Sequence, residues 1–144
     1  MGTAYYDWDA TWTVVTYGSG TNFTSVAIAD EGDLLSDVLS LDGKVAAEIS
    51  VEVVEDNTGA CDGKVLVHVC RETGDSAYQD FTADDDNDSP ALACSIVAEQ
   101  NKTRKKAFTI DAAEVSKFKL AVDNDCGQEV AVSIKIKYAV MTTA

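Results

Sequence analysis

Four cysteines (Cys61, Cys70, Cys94 and Cys126) and a single histidine, His68, are the residues of this chain best suited to metal or nucleophilic chemistry. Their spacing argues against both. No Cys-x-x-Cys pair occurs, so neither a zinc ribbon nor a thioredoxin-like redox site is encoded. His68 and Cys70 lie two apart and share one face of a strand, and a tetrahedral site would have to recruit ligands such as Cys61 and Cys94 from elsewhere. Small half-buried thiols are the simpler reading; no metal, cofactor or disulfide is expected. A Ser-His-Asp or Cys-His arrangement would have to be assembled around His68, inside a run of valines. G-x-S-x-G, the P-loop, H-E-x-x-H and G-x-G-x-x-G are all absent. Carboxylates are so abundant that some pair falls at glycosidase spacing by chance, which carries no information. The chain reads as a non-enzyme without catalytic residues.

The acidic run Asp84–Asp88 has some of the spacing of a calcium loop. Asp84, Asp86 and Asp88 occupy positions 1, 3 and 5 of an EF-hand-like series, but position 6 is Ser89 rather than Gly and position 12 is Ser95 rather than Glu. A solvated acidic loop is the better account, with a looser oxygen site there, or at Asp123 and Asp125, as the alternative. The formal net charge is −14. Residues 1–100 carry 20 acidic and 3 basic side chains, residues 101–144 carry 5 and 8. So acidic a body is a poor partner for free nucleic acid, which needs clustered Lys and Arg. The charge favours solubility and repels free copies from one another. The basic end could also complement the acidic body of a second copy.

The elements that position these residues read as strands. A chain of 144 residues is one natural domain, large enough to fold without a metal or disulfide staple. No apolar run has the length of a membrane span. Met1–Asp7 has neither the basic segment nor the apolar core of a signal peptide, so synthesis in the cytoplasm is expected. Val45–Val54 alternates Ile49, Val51 and Val53 against Glu48, Ser50 and Glu52. Lys64–Arg71 places Val65, Val67 and Val69 on one face. Strict alternation of this kind marks strands with one buried face. The spacing predicts an all-β fold, a single antiparallel β-sandwich of about eight strands. Thr73–Pro90 is the longest polar stretch and the expected exposed loop.

Val115–Val140 reads as a terminal hairpin. Phe118, Leu120 and Val122 would pair with Ile134, Val132 and Val130 across a turn at Asp123–Gly127. That register sets Lys117 opposite Lys135 and gathers Lys117, Lys119, Lys135 and Lys137 on one basic outer face. Glu48 and Glu52 would offset the repulsion, from a neighbouring strand or from a second copy. Residues 1–10 are expected to form an N-terminal aromatic arm whose Tyr5, Tyr6 and Trp8 pack on a neighbouring subunit. Residues 11–144 form the sandwich, with Trp12 and Val14 entering its core.

The stretches Ser36–Lys44 and Phe118–Asn124 running into Val130–Tyr138 resemble small structural proteins of tailed bacteriophages, jelly-roll decoration (cement) proteins above all. The resemblance is one of texture over residues 36–140. It implies a jelly-roll sandwich that forms a homo-oligomer, commonly a trimer, and decorates the capsid surface of the virion through contacts with the major capsid protein, with no membrane partner. The alternative is a carbohydrate- or receptor-binding β-sandwich module of a phage tail or fibre. It would use the Asp84–Asp88 loop and exposed Tyr or Trp residues.

Overall fold

The computed structural model describes residues 2–55, 59, 61, 63–79 and 90–143. The Asp84–Asp88 run lies outside them. Fourteen strands are described: β1 (Ala4–Trp8), β2 (Thr13–Val14), β3 (Thr16–Tyr17), β4 (Thr21–Asn22), β5 (Val26–Ile28), β6 (Asp33–Leu35), β7 (Leu39–Ser40), β8 (Ala46–Glu55), β9 (Lys64–Gly74), β10 (Ala77–Tyr78), β11 (Ala91–Val97), β12 (Lys102–Asp111), β13 (Lys117–Asp125) and β14 (Val130–Thr143). Among the described residues no helix is long and apolar enough to cross a membrane.

The strands form two antiparallel sheets. The first runs β12-β8-β14, and β14 is then flanked by β5, β2 and β1 along its length. The second runs β13-β9, with β11 and β10 beyond β9 and with β6 and β7 beyond β13. The chain is therefore an all-β sandwich. Its pairings are nested: β9 with β11, β8 with β12, β6 and β7 with β13, and β5 with β14. A long hairpin rolled so that successive pairs fall in alternate sheets gives this order, which is that of a jelly roll.

The inward faces are those that alternation marks. Ile49, Val51 and Val53 of β8, Val65 and Val67 of β9, Phe118, Leu120 and Val122 of β13, and Val132, Ile134 and Ile136 of β14 are all buried in one core. Each such side chain stabilises the fold by about 1.5–3 kcal/mol relative to exposure. Phe23, fully buried, carries the short β3–β4 hairpin onto this core, with the Tyr17 ring edge-on at 5.3 Å.

Three sequence expectations are corrected. First, β13 and β14 do not pair. β13 lies in the second sheet beside β9, and β14 lies in the first beside β8. Their apolar rows meet across the core instead of side by side, and the connection at residues 126–129, later than the expected turn, carries the chain from one sheet to the other. Lys117 is opposite Ser40, whereas Lys135 is opposite Ser50 and Val14. The four lysines thus divide between two outer faces, with Lys117 and Lys119 on one and Lys135 and Lys137 on the other. Second, residues 4–8 are not a separate arm. They pair with Ala139–Thr143 as the edge strand of the first sheet. Third, Trp12 stays 37% exposed on the outer side, and Val15 takes the core place expected of its neighbours.

Candidate functional site

The outer face of the first sheet gathers the most varied side chains. Along β14 the outward positions are Ser133, Lys135 and Lys137, and along β8 they are Glu52, Ser50 and Glu48. Each β14 residue stands opposite its β8 partner in that order, so the face is a row of hydroxyls and opposed charges. Glu48 meets Lys137 at 3.8 Å, and Glu52 meets Lys105 of β12 at 3.2 Å. Both glutamates therefore find lysines within one copy. The pairs are partly exposed, worth about 1 kcal/mol or less each, so they orient side chains more than they stabilise the fold.

Beside this row stand two tryptophans. Trp8 ends β1 and pairs with Ala139, which is fully buried. Trp12 precedes β2, which pairs with Lys135 and Ile136. The Lys137 ammonium lies 5.9 Å from the Trp8 ring centroid and 4.7 Å from that of Trp12. A cation over two ring faces attracts both, and the Glu48 carboxylate holds that cation from the strand side. Asp9 fixes the chain between the tryptophans: its amide donates to Tyr138 O at 2.8 Å and its carboxylate accepts from Tyr138 N at 2.9 Å. On the same face, a depression of ≈ 260 Å³ is lined by Thr24, Ser25, Ser50, Ser133, Glu52, Lys105 and Lys135. Two of these lining residues are joined, the Ser25 amide donating to Ser133 Oγ at 2.8 Å. This surface can stack a flat apolar ring on indole and offer hydroxyls and charges to polar substituents beside it.

The remaining expected site residues fall elsewhere. Tyr5 and Tyr6 are 47% and 46% exposed on the β1 edge. Lys117 and Lys119 belong to the second sheet, where Lys119 lies 5.1 Å from the Tyr78 ring. His68 is half-buried on the outer face of that sheet, opposite Ala121 and Leu92, and burial lowers its imidazole pKa, favouring the neutral form. Asp123 stands opposite Asp33. Burial first, then the charges of Asp125 and Asp33, raise its carboxyl pKa.

A second constellation has no counterpart in the sequence reading. Glu55 ends β8, Cys61 lies in the β8–β9 connection and Cys126 follows β13, and their ligating atoms all lie within 4.8 Å of one another. Burial first, then hydrogen bonding and charge from Cys126, then the charge of Glu55, push the Cys61 thiol up to about 12, so it is protonated at neutral pH. The expected grouping of His68, Cys70, Cys61 and Cys94 does not form. Cys94 sits within the core and pairs in register with Val67, while His68 and Cys70 lie on the outer side of β9. No sequence spacing joins positions 55, 61 and 126; only the crossing of the two connections does.

No family model matches this sequence, and no curated protein matches it significantly. Among solved structures, it is similar to the CBM22-1–GH10 modules of Clostridium thermocellum endo-1,4-β-D-xylanase 10B complexed with xylohexaose (TM-score 0.48, 13% identity, 91% of this chain and 26% of that chain). It is also similar to the C-terminal CBM6 of LamC, a marine laminarinase from Zobellia galactanivorans (0.46, 9%, 93% and 98%). A family GH115 4-O-methyl-α-glucuronidase with specificity for decorated arabinogalactans aligns over 88% of this chain and 16% of its own (0.45, 8%). Such distant likenesses concern the fold and leave substrate and activity open.

Proposed function

We propose that this chain is a non-catalytic recognition module whose ligand is a carbohydrate, bound on the outer face of the first sheet. The observation that carries the reading is the Trp8–Lys137–Trp12 cluster beside a depression lined by hydroxyls and charged groups of both signs. A pyranose presents an apolar face of C–H groups and an equatorial rim of hydroxyls. Indole accepts the first, and serines with Glu52, Lys105 and Lys135 accept the second. The Glu52–Lys105 ion pair holds two of these groups in place before any ligand arrives, which reduces the ordering cost of binding. Affinity electrophoresis through gels containing single soluble polysaccharides tests the reading. Retardation of the native chain by at least one polysaccharide, lost on Trp12→Ala, is expected; free migration through a broad panel would overturn it.

A second reading is a homotrimeric subunit on a virion surface, in contact with a major capsid protein. It is supported by strand β12, which exposes Lys102, Arg104, Lys105 and Lys106 along an edge of the first sheet in an otherwise acidic protein. Light scattering and co-sedimentation with capsids separate the two readings: a stable monomer that ignores capsids excludes the second.

A further inference from the structure

We infer that Glu55, Cys61 and Cys126 form a binding site for a soft divalent cation of the zinc class, tying together the two connections at one end of the sandwich. Three potential donor atoms lie within 4.8 Å of one another. Two sulfurs bound tetrahedrally to zinc stand about 3.8 Å apart, so closing the site takes side-chain adjustment alone. Two thiolates and a carboxylate select zinc-like ions over calcium or magnesium, which prefer oxygen throughout.

The backbone around the donors is built for close approach. A Cβ on Gly63 would stand 2.1 Å from Asp125 O and 2.7 Å from Cys126 Cα, so only glycine lets the β8–β9 connection lie against the Cys126 turn. Asn124, fully buried, fixes that turn. Its carboxamide nitrogen donates to Ile28 O at 2.9 Å and to Gln128 O at 2.7 Å, and its oxygen accepts from the Cys126 amide at 3.1 Å. The Cys126 thiol donates to Gln128 O at 3.2 Å. Glu55 and Cys126 are each 1% exposed, whereas Cys61 is half-buried and leaves a route for an ion. On binding, each thiol releases its proton to solvent and becomes a thiolate ligand, and three protein donors leave one coordination position for water.

The full chain, purified under reductant and freed of metal, is titrated with cobalt(II) and then zinc(II). One equivalent of cobalt should produce a sulfur-to-cobalt charge-transfer band, zinc should displace it, and zinc should raise Tm by about 5 °C or more. Cys61→Ser, at a half-buried loop position, should keep the apo melting temperature and lose both the band and the shift. Cys94→Ala, in the core and away from the cluster, should keep the band whatever its own stability. Free thiols by titration with no band overturn the site, as does a mass lower by two hydrogens from a Cys61–Cys126 disulfide formed under the same reductant. A band that persists in Cys61→Ser overturns the assignment.

Discussion

The Lys137 ammonium stands 4.7 Å from the centroid of the Trp12 ring, and that short separation joins a residue near the start of the chain to one near its end. Neither side chain is in the core, so their proximity serves the surface. Trp12→Ala is expected to weaken carbohydrate binding at least about tenfold in Kd. Because the indole is 37% exposed, Tm should fall by less than about 3 °C. Calorimetric titration beside a thermal melt reads both, and a large loss of Tm would show that the ring is structural.

Lys137→Met should separate orientation from stacking. The indoles remain, but the cation that both face is gone, and with it the Glu48 ion pair. A loss of about 0.5–1 kcal/mol in binding is expected at this partly exposed site, two- to fivefold in Kd. The unfolding free energy should change by less, and the test is the same titration at low and at physiological salt.

Gly63→Ala should destabilise the fold by about 1–3 kcal/mol. Its methyl group would meet backbone, Asp125 O and Cys126 Cα, and backbone cannot swing aside as a long side chain does. The urea midpoint should drop while far-ultraviolet circular dichroism keeps its β signature.

Asn124→Ala leaves Ile28 O, Gln128 O and the Cys126 amide without the partner that serves all three. The expected cost is about 2–4 kcal/mol, read from chemical denaturation. Asn124→Asp should also destabilise, because it removes two donors and places a carboxylate in their stead.

Asp123 makes a pH prediction of definite sign. Its carboxyl pKa is raised above 3.8 in the folded state, by burial before the charges of Asp125 and Asp33. Between the unfolded and folded values the native state therefore holds more protons, so this group's contribution to stability falls as pH rises through that window. Asp123→Asn should melt above the wild type at pH 7, and the difference should vanish below about pH 4. A melting series from acid to neutral pH checks it.

Alternation in β8, β9, β13 and β14 was enough to name the inward faces, because period-two burial is a local property of each strand. Partner choice is not local. Phe118 and Ile134 both point inward whether their strands are neighbours in one sheet or opposed across two, so hairpin and sheet crossing share one pattern. The surface cluster was hidden for a related reason: Trp8 and Trp12 meet Lys137 only because β1 and β2 both align on β14. Glu48 was legible as a partner for a lysine, since its outward position on β8 was. The Cys61–Cys126 approach was not, for it depends on Gly63 allowing two backbones to touch.

Strand β14 has a consequence for the order of events during synthesis. It pairs with β1, β2, β5 and β8, all of which precede it in the chain. Until its fourteen residues leave the ribosome, the first sheet lacks the strand that its other members share. The β9–β11 and β8–β12 ladders can form earlier, with their apolar faces still uncovered. Folding waits on the distant closures of β14, so this chain should fold slowly and be most prone to aggregate just before that strand docks.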